Sequence, residues 1–104
     1  MPEFVKVADR SELPPGGKKL ADVGGRAIAV FNVDGSFYAI DDVCTHDGGP
    51  LAEGELLGCE VECPRHGARF DVRTGKAMSF PAFEPVTTHR VDVRGDDILV
   101  SVED

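Results

Sequence analysis

The chain has 104 residues, 41% of them hydrophobic, which is enough for one compact core in a single domain spanning residues 1–104. Its formal charge of -8 leaves no excess of lysine or arginine to displace counterions from phosphates, which argues against nucleic-acid binding. No stretch approaches the roughly 20 apolar residues that span a bilayer, and no basic, then apolar leader opens the chain, so we expect a cytoplasmic protein without a membrane partner. Three cysteines, an odd number, argue against a secreted disulfide framework and favour metal or redox chemistry.

In the first half of the chain, short alternating or β-branched runs separated by turn residues predict strands. These strands cover 4–7, 18–23, 26–33 and 36–40. The last two are separated by Asp34 and Gly35, a strong hairpin signal because glycine readily takes the positive φ of primed turns. A connector rich in proline and glycine is predicted over 11–17.

The second half begins with a segment, from Asp41 to Pro50, in which alternation stops and Asp, Gly, Cys and His accumulate. This composition predicts a loop that carries chemistry. Further strands are predicted as a pair within 55–62, a short strand at 69–72 and a final hairpin of 86–93 and 98–102. Short strands at regular intervals, with turn signals between them and no helical stripe, predict an all-β antiparallel sandwich or barrel.

Two of the three cysteines and two of the three histidines share one pattern, in which each of two loops supplies one of each. Cys44 and His46 stand in the first loop, and Cys63 and His66 stand in the second. Thiolate and imidazole suit zinc, iron or copper. One interpretation is a closed structural zinc site. The other is a two-iron centre in which one iron takes two thiolates and the other takes two imidazoles, and the mixed pair in each loop favours it over a zinc finger.

These two loops resemble the ligand loops of the Rieske [2Fe-2S] family. The first continues with Gly-Gly-Pro-Leu over 48–51, the second continues with Gly67, and the pattern extends through Phe70 and Asp71. The stretch from Gly75 to Pro81 resembles the segment that covers the cluster in that family. The resemblance implies one [2Fe-2S] cluster, a Rieske-type sandwich or barrel, and a small cluster-binding subdomain with loops at about 41–51, 63–70 and 76–83.

By this resemblance, Cys44 and Cys63 bind the inner iron, and His46 and His66 bind the outer iron near the surface. Two ferric ions, two sulfides and two thiolates carry no net charge, whereas four thiolates would leave two negative charges. A neutral cluster accepts an electron more easily, so Rieske potentials run from roughly -150 to +300 mV, above the roughly -400 mV of plant-type ferredoxins. Backbone amides in the Gly48-Gly49 turn and in the Gly67 turn are expected to donate to the sulfides.

The chain lacks the features that raise the reduction potential in the high-potential members of the family. It has no cysteine pair for a loop disulfide, and Ala68 and Phe70 replace residues whose hydroxyls donate to sulfur in those members. We therefore expect a potential in the lower part of the range, which a midpoint above about +100 mV would contradict. The third cysteine, Cys59, is expected to be a small buried strand residue.

This pattern is similar to the Rieske ferredoxins that serve ring-hydroxylating dioxygenases. It implies a one-electron carrier that is not itself an enzyme, with a flavoprotein reductase and a terminal oxygenase as transient partners. The exposed edges of His46 and His66 would be the exit for the electron. Two alternatives stay open, namely an accessory subunit like the small subunit of assimilatory nitrite reductases, and a zinc-stabilised interaction domain. No catalytic motif is visible in the chain.

Overall fold

A computed structural model describes residues 3–43, 51–64, 67–79 and 84–101, and these form nine strands, one turn of 3₁₀ helix over Arg10–Glu12 and no α-helix. The strands are β1 (Val5–Asp9), β2 (Lys18–Val23), β3 (Arg26–Val33), β4 (Ser36–Asp41), β5 (Glu55–Leu57), β6 (Glu60–Glu62), β7 (Arg69–Asp71), β8 (Thr88–Arg94) and β9 (Asp97–Ser101). Within these ranges no helix has the length and apolar character that a bilayer crossing requires. The prediction of an all-β fold is confirmed.

The observed strand boundaries lie within two residues of the predicted ones. β2 and β3 match at both ends because a glycine pair separates them and a tight turn follows β3. In that turn Asp34 has φ +52° and Gly35 has φ +93°, the primed geometry that suits the right-handed twist of a hairpin. The connector predicted over 11–17 differs in one respect, since its start belongs to the helical turn over Arg10–Glu12.

Six strands form one antiparallel sheet in the order β1-β9-β8-β4-β3-β2, and the other three form a small sheet in the order β5-β6-β7. The edge strands β1 and β2 lie against each other, so the large sheet is a nearly closed barrel. Within it, β4 and β8 share the shortest ladder, in which Ala39 pairs with His89 and Ile40 pairs with Thr88. The small sheet corresponds to the predicted subdomain.

Strand β3 is buried on both faces, which explains why its sequence is a continuous apolar run rather than an alternating one. Ile28 and Val30 point into the barrel, while Ala29 and Phe31 point toward the small sheet. The barrel core contains Ala8, Leu13, Val23, Ile28, Val30, Ala39, Ile98 and Val100. The inter-sheet core, between the large and small sheets, contains Ala29, Phe31, Ile40, Leu51, Val61, Cys63, Ala68, Phe70, Val72 and Val86.

The backbone of Gly54 lies too close to β6 for a larger residue, because a Cβ there would lie 1.9 Å from the Glu62 carbonyl oxygen. We expect Gly54→Ala to lower the free energy of unfolding by about 3 kcal/mol, since backbone must move to relieve the overlap. Gly58→Ala is the matched control, because Gly58 has φ +65° but no atom within 4 Å of its added Cβ. It should cost only about 1 kcal/mol. Urea unfolding measures the free energy of unfolding of both variants. Equal losses of stability in Gly54→Ala and Gly58→Ala would contradict the steric explanation.

Candidate metal centre

Cys63 is the one predicted ligand that falls within the described residues. Cys44, His46 and His66 lie outside them, as do the rest of 44–50, residue 65 and 80–83. The described part of the centre therefore consists of Cys63 and the bases of the three predicted loops. The first loop joins β4 to β5, the second joins β6 to β7, and the third joins β7 to β8. All three loops thus begin or end at a strand of the small sheet.

Cys63 stands at the end of β6, where the chain turns toward β7. Its side chain belongs to the inter-sheet core and the residue is 1% exposed. The Cys63 N–H donates to the Ala68 carbonyl at 2.7 Å, and the Gly67 N–H donates to the Cys63 carbonyl at 3.0 Å. Gly67 has φ +77°, a left-handed conformation that favours glycine. These contacts close a tight turn that fixes the direction of the thiol.

One prediction for this region stays a prediction and another is wrong. Donation from backbone amides of the Gly67 turn to the sulfides stays a prediction, and the Gly67 N–H itself donates to the Cys63 carbonyl at 3.0 Å. Cys59 is not a buried strand residue, because it is partly exposed in the two-residue turn between β5 and β6. Gly58, with φ +65°, begins that turn and so moves Cys59 out of the strand. The Cys59 carbonyl accepts a hydrogen bond from the Val72 N–H at 2.9 Å.

The base of the first loop is fixed on both sides of 44–50. The Asp42 Oδ1 accepts a hydrogen bond from the Ala52 N–H at 2.6 Å, which joins the two flanks. Leu51, next to this segment, is fully buried in the inter-sheet core that also contains Cys63. The Lys18 ammonium group donates to the Gly54 carbonyl and ties β2 to the start of β5. The end of the first loop is therefore packed on the same core as Cys63.

The third loop begins alongside the second. Ala77 forms an antiparallel bridge with Phe70, and the Met78 N–H donates to the Arg69 carbonyl at 2.7 Å. The Arg69 N–H in turn donates to the Ser79 Oγ at 3.0 Å. Residues 77–79 thus extend the small sheet by a short stretch at the edge of β7. The segment predicted to cover the cluster starts next to the turn that carries Cys63.

Asp71 organises the turn between β7 and the third loop. Its carboxylate is 8% exposed and accepts hydrogen bonds from the Arg73 N–H, Nε and Nη2 at 2.9, 3.1 and 2.9 Å. These bonds hold the pKa of Asp71 below its usual value, although burial opposes the shift. The Asp71 carbonyl accepts a further bond from the Gly75 N–H at 2.7 Å. The ionised carboxylate therefore stabilises the start of the third loop.

The depressed pKa of Asp71 makes its contribution to stability depend on pH. The contribution is present above the unfolded pKa of about 3.9 and is lost as the pH falls through the lower folded value. We expect Asp71→Asn to lower the free energy of unfolding by about 1–2 kcal/mol at pH 7. Urea unfolding should show the gap between parent and variant narrowing from about pH 4 downward. A gap of constant size at every pH would contradict a role for the charge.

His89, the histidine outside the two ligand motifs, joins Asp41 and Arg26 in a polar network. Asp41 accepts hydrogen bonds from the Arg26 Nε and Nη2 at 2.9 and 3.1 Å, and the His89 Nε2 lies 2.7 Å from its Oδ1. Burial raises the pKa of Asp41, but the bonds from Arg26 and His89 outweigh it, so the net shift is downward. The sequence signal for this network was the two-residue spacing of strand side chains. Asp41 lies two residues after Ala39 and therefore on the same face of β4.

The described surroundings of Cys63 fit a thiolate-ligated metal centre. The thiol stands at the edge of an apolar core, where a thiolate is favoured only beside a cation. Ala68 and Phe70 are fully buried in that core and offer no side-chain donor to sulfur. A cleft of about 420 Å³ elsewhere in the barrel involves none of these residues. Beside the Cys63 turn, a cleft of about 250 Å³ is lined by Glu53, Gly54, Glu55, Glu62, Cys63, Pro64 and Gly67.

Comparison with known proteins gives matches over nearly the whole chain. A family model described as "Rieske [2Fe-2S] domain" matches residues 3–100. The biphenyl 2,3-dioxygenase ferredoxin component of Rhodococcus jostii (strain RHA1) is 43% identical over 100 residues, which are 96% of this chain and 94% of that protein. The structure of the ferredoxin of carbazole 1,9a-dioxygenase from Nocardioides aromaticivorans IC177 has a TM-score of 0.93 and 38% identity, covering 96% of this chain and 98% of that one.

A further solved structure is a complex of reduced oxygenase and oxidized ferredoxin in carbazole 1,9a-dioxygenase. The matching chain has a TM-score of 0.89 and 37% identity, and the match covers 94% of this chain and 92% of that one. The similarity thus extends across both the barrel and the small sheet.

Proposed function

This chain belongs to the Rieske [2Fe-2S] domain family, whose cofactor is one [2Fe-2S] cluster, and we propose that it is a one-electron carrier of the ferredoxin type. In this role it takes electrons from a flavoprotein reductase and passes them to a terminal oxygenase, such as a ring-hydroxylating dioxygenase. It is a component of an oxidoreductase system and not itself an enzyme. The observation that carries this proposal is full-length similarity to ferredoxin components of dioxygenases.

The proposed ligands are Cys44 and Cys63 for one iron, and His46 and His66 for the other. All four positions fall within the matched residues 3–100, in one domain with loops at about 41–51, 63–70 and 76–83. The burial of Cys63 and the tight turn that carries it support the thiolate role. When bound, the cluster supplies a redox centre that changes by one electron.

The protein's own residues tune and shield that centre. Burial of Leu51, Ala68 and Phe70 beside Cys63 keeps water from the sulfur side of the site. Because the side chains of Ala68 and Phe70 carry no hydrogen-bond donor, neither side chain stabilises the added negative charge of the reduced form. This supports a potential in the lower part of the Rieske range.

The proposed partners are proteins that dock transiently. The chain's net charge of -8 suits long-range attraction to a basic docking face, and such attraction raises association rates without requiring tight binding. The similar ferredoxin solved in a complex with its oxygenase supports an oxygenase as the electron acceptor. We place the carrier in the cytoplasm, where reduced thiols are maintained for iron binding.

Reconstitution of the electron chain tests this function. Anaerobically purified protein should be red-brown, contain iron and acid-labile sulfide in equal amounts, and give an electron-spin signal on reduction. With a flavoprotein reductase and a terminal oxygenase added separately, product formation should require catalytic amounts of this chain. A colourless protein with one zinc would favour the interaction domain. A coloured protein that turns over only inside a stable larger oxidoreductase would favour the accessory subunit.

A further inference from the structure

Three polar side chains form a row across strands β3, β4 and β8, at the end of the barrel from which the first loop emerges. Asp41 pairs in register with Ile28, and His89 pairs with Ala39, and both of these apolar partners belong to the barrel core. Arg26 lies two residues before Ile28 and therefore on the same face. The row thus lies on the barrel-core face, where polar groups are retained only with partners.

His89 is the most buried member of the row, with a fully buried side chain. Its Nε2 lies 2.7 Å from the Asp41 Oδ1, while its Nδ1 is buried and makes no hydrogen bond within the described part of the chain. The Nε2 contact with Asp41 is therefore the one hydrogen bond that the ring makes within the described residues.

The row lies beside the β4–β8 ladder, which is the shortest strand pairing in the large sheet. Only two residue pairs link β4 to β8, and one further backbone bond runs from the Asp41 N–H to the Thr87 carbonyl at 2.9 Å. Asp41 is the last residue of β4, three positions before Cys44. The contacts of its carboxylate with Arg26 and His89 therefore fix the strand end from which the first ligand loop departs.

We propose that Asp41, held by Arg26 on β3 and His89 on β8, is a positioning residue for the first ligand loop. It sets the direction in which the chain leaves β4 and thereby the placement of Cys44 and His46 on the cluster. This inference rests on the proposed role of those two residues as ligands. Outer-shell groups that orient metal ligands affect metal retention by about 10- to 100-fold when removed.

The test removes each donor to Asp41 and keeps the carboxylate. His89→Leu removes the buried donor, whereas His89→Gln places an amide N–H where the Nε2–H stood. Arg26→Met removes the other donor, which belongs to a side chain that is 40% exposed. Arg94→Met is the matched control, because Arg94 pairs with Asp92 at 2.8 Å at the opposite end of β8.

The readouts are the electron-spin g-values of the reduced protein and the rate at which a chelator removes its iron. We expect His89→Leu and Arg26→Met to shift the g-values and to lose iron about tenfold faster than the parent. His89→Gln and Arg94→Met should stay within about twofold of the parent. If His89→Leu does not fold, Arg26→Met decides the outcome alone.

Lower thermal stability of Arg26→Met with unchanged g-values and iron loss would overturn the inference, because the row would then only support the barrel. That result would leave the carrier function intact. A parent protein without a Rieske electron-spin signal would instead overturn the proposed function, and the positioning role with it.

Discussion

Cys63→Ala is expected to give a colourless protein without acid-labile sulfide. The thiol of Cys63 is buried in the inter-sheet core at the end of β6, and alanine at this position offers no metal ligand. Because the binding free energy of a metal centre is also folding free energy, the variant should unfold at a lower temperature than the parent. Iron and sulfide analysis, visible absorption and a thermal melt measure these effects.

Cys59→Ala is the control for that experiment, since it removes the other described cysteine by the same change. Cys59 is partly exposed in the β5–β6 turn, and its backbone carbonyl, which alanine keeps, accepts the hydrogen bond from the Val72 N–H. The iron content and the colour of the Cys59→Ala protein should equal those of the parent. A red-brown Cys63→Ala protein with full iron would show that Cys63 is not a ligand.

His66→Cys should keep part of its iron and have a midpoint potential lower by on the order of 100–200 mV. The substitution replaces a neutral imidazole with a thiolate and adds one negative charge to the centre. A four-thiolate cluster carries two more negative charges than a Rieske cluster, and the potentials of the two types are separated by several hundred millivolts. One added charge should therefore give about half of that separation. A redox titration followed by visible absorption measures the shift.

His89→Gln provides the comparison for this titration, because it changes a histidine outside the proposed ligand set and preserves its hydrogen-bond donor. Its midpoint should equal that of the parent. If the midpoint of His66→Cys is also unchanged, His66 is not a ligand and the second loop holds the cluster by another residue.

Local chemistry in the sequence predicted most of the strands. The hairpin at Asp34 and Gly35 and the paired glycines before Arg26 are signals that act over a few residues, and the strands they separate match the structure. Cys59 was misplaced because the strand pair within 55–62 was predicted to turn around Gly58 alone. The turn contains two residues, Gly58 and Cys59, and the sequence does not show that the second strand begins only at Glu60.

The predicted ligands came from an unusual combination of side chains in two short motifs, which a single sequence displays directly. The contact between Asp41 and His89 could not be found in this way, since 48 residues separate them. It exists because β8, which pairs with its neighbour in sequence β9 on one edge, pairs with the distant strand β4 on the other. Such pairing depends on the packing of the whole barrel, and the apolar run of β3 likewise does not reveal which of its faces meets the small sheet.

Strands β3 and β4 separate the barrel core from the inter-sheet core and are buried on both sides by them. A movement of β3 and β4 would disturb the close packing of both cores at once, and close-packed protein interiors have low compressibility. The shape around Cys63 should therefore be almost the same before and after an electron arrives, which keeps the reorganisation energy of transfer small. A shuttle of this kind can offer one unchanged face to its donor and then to its acceptor.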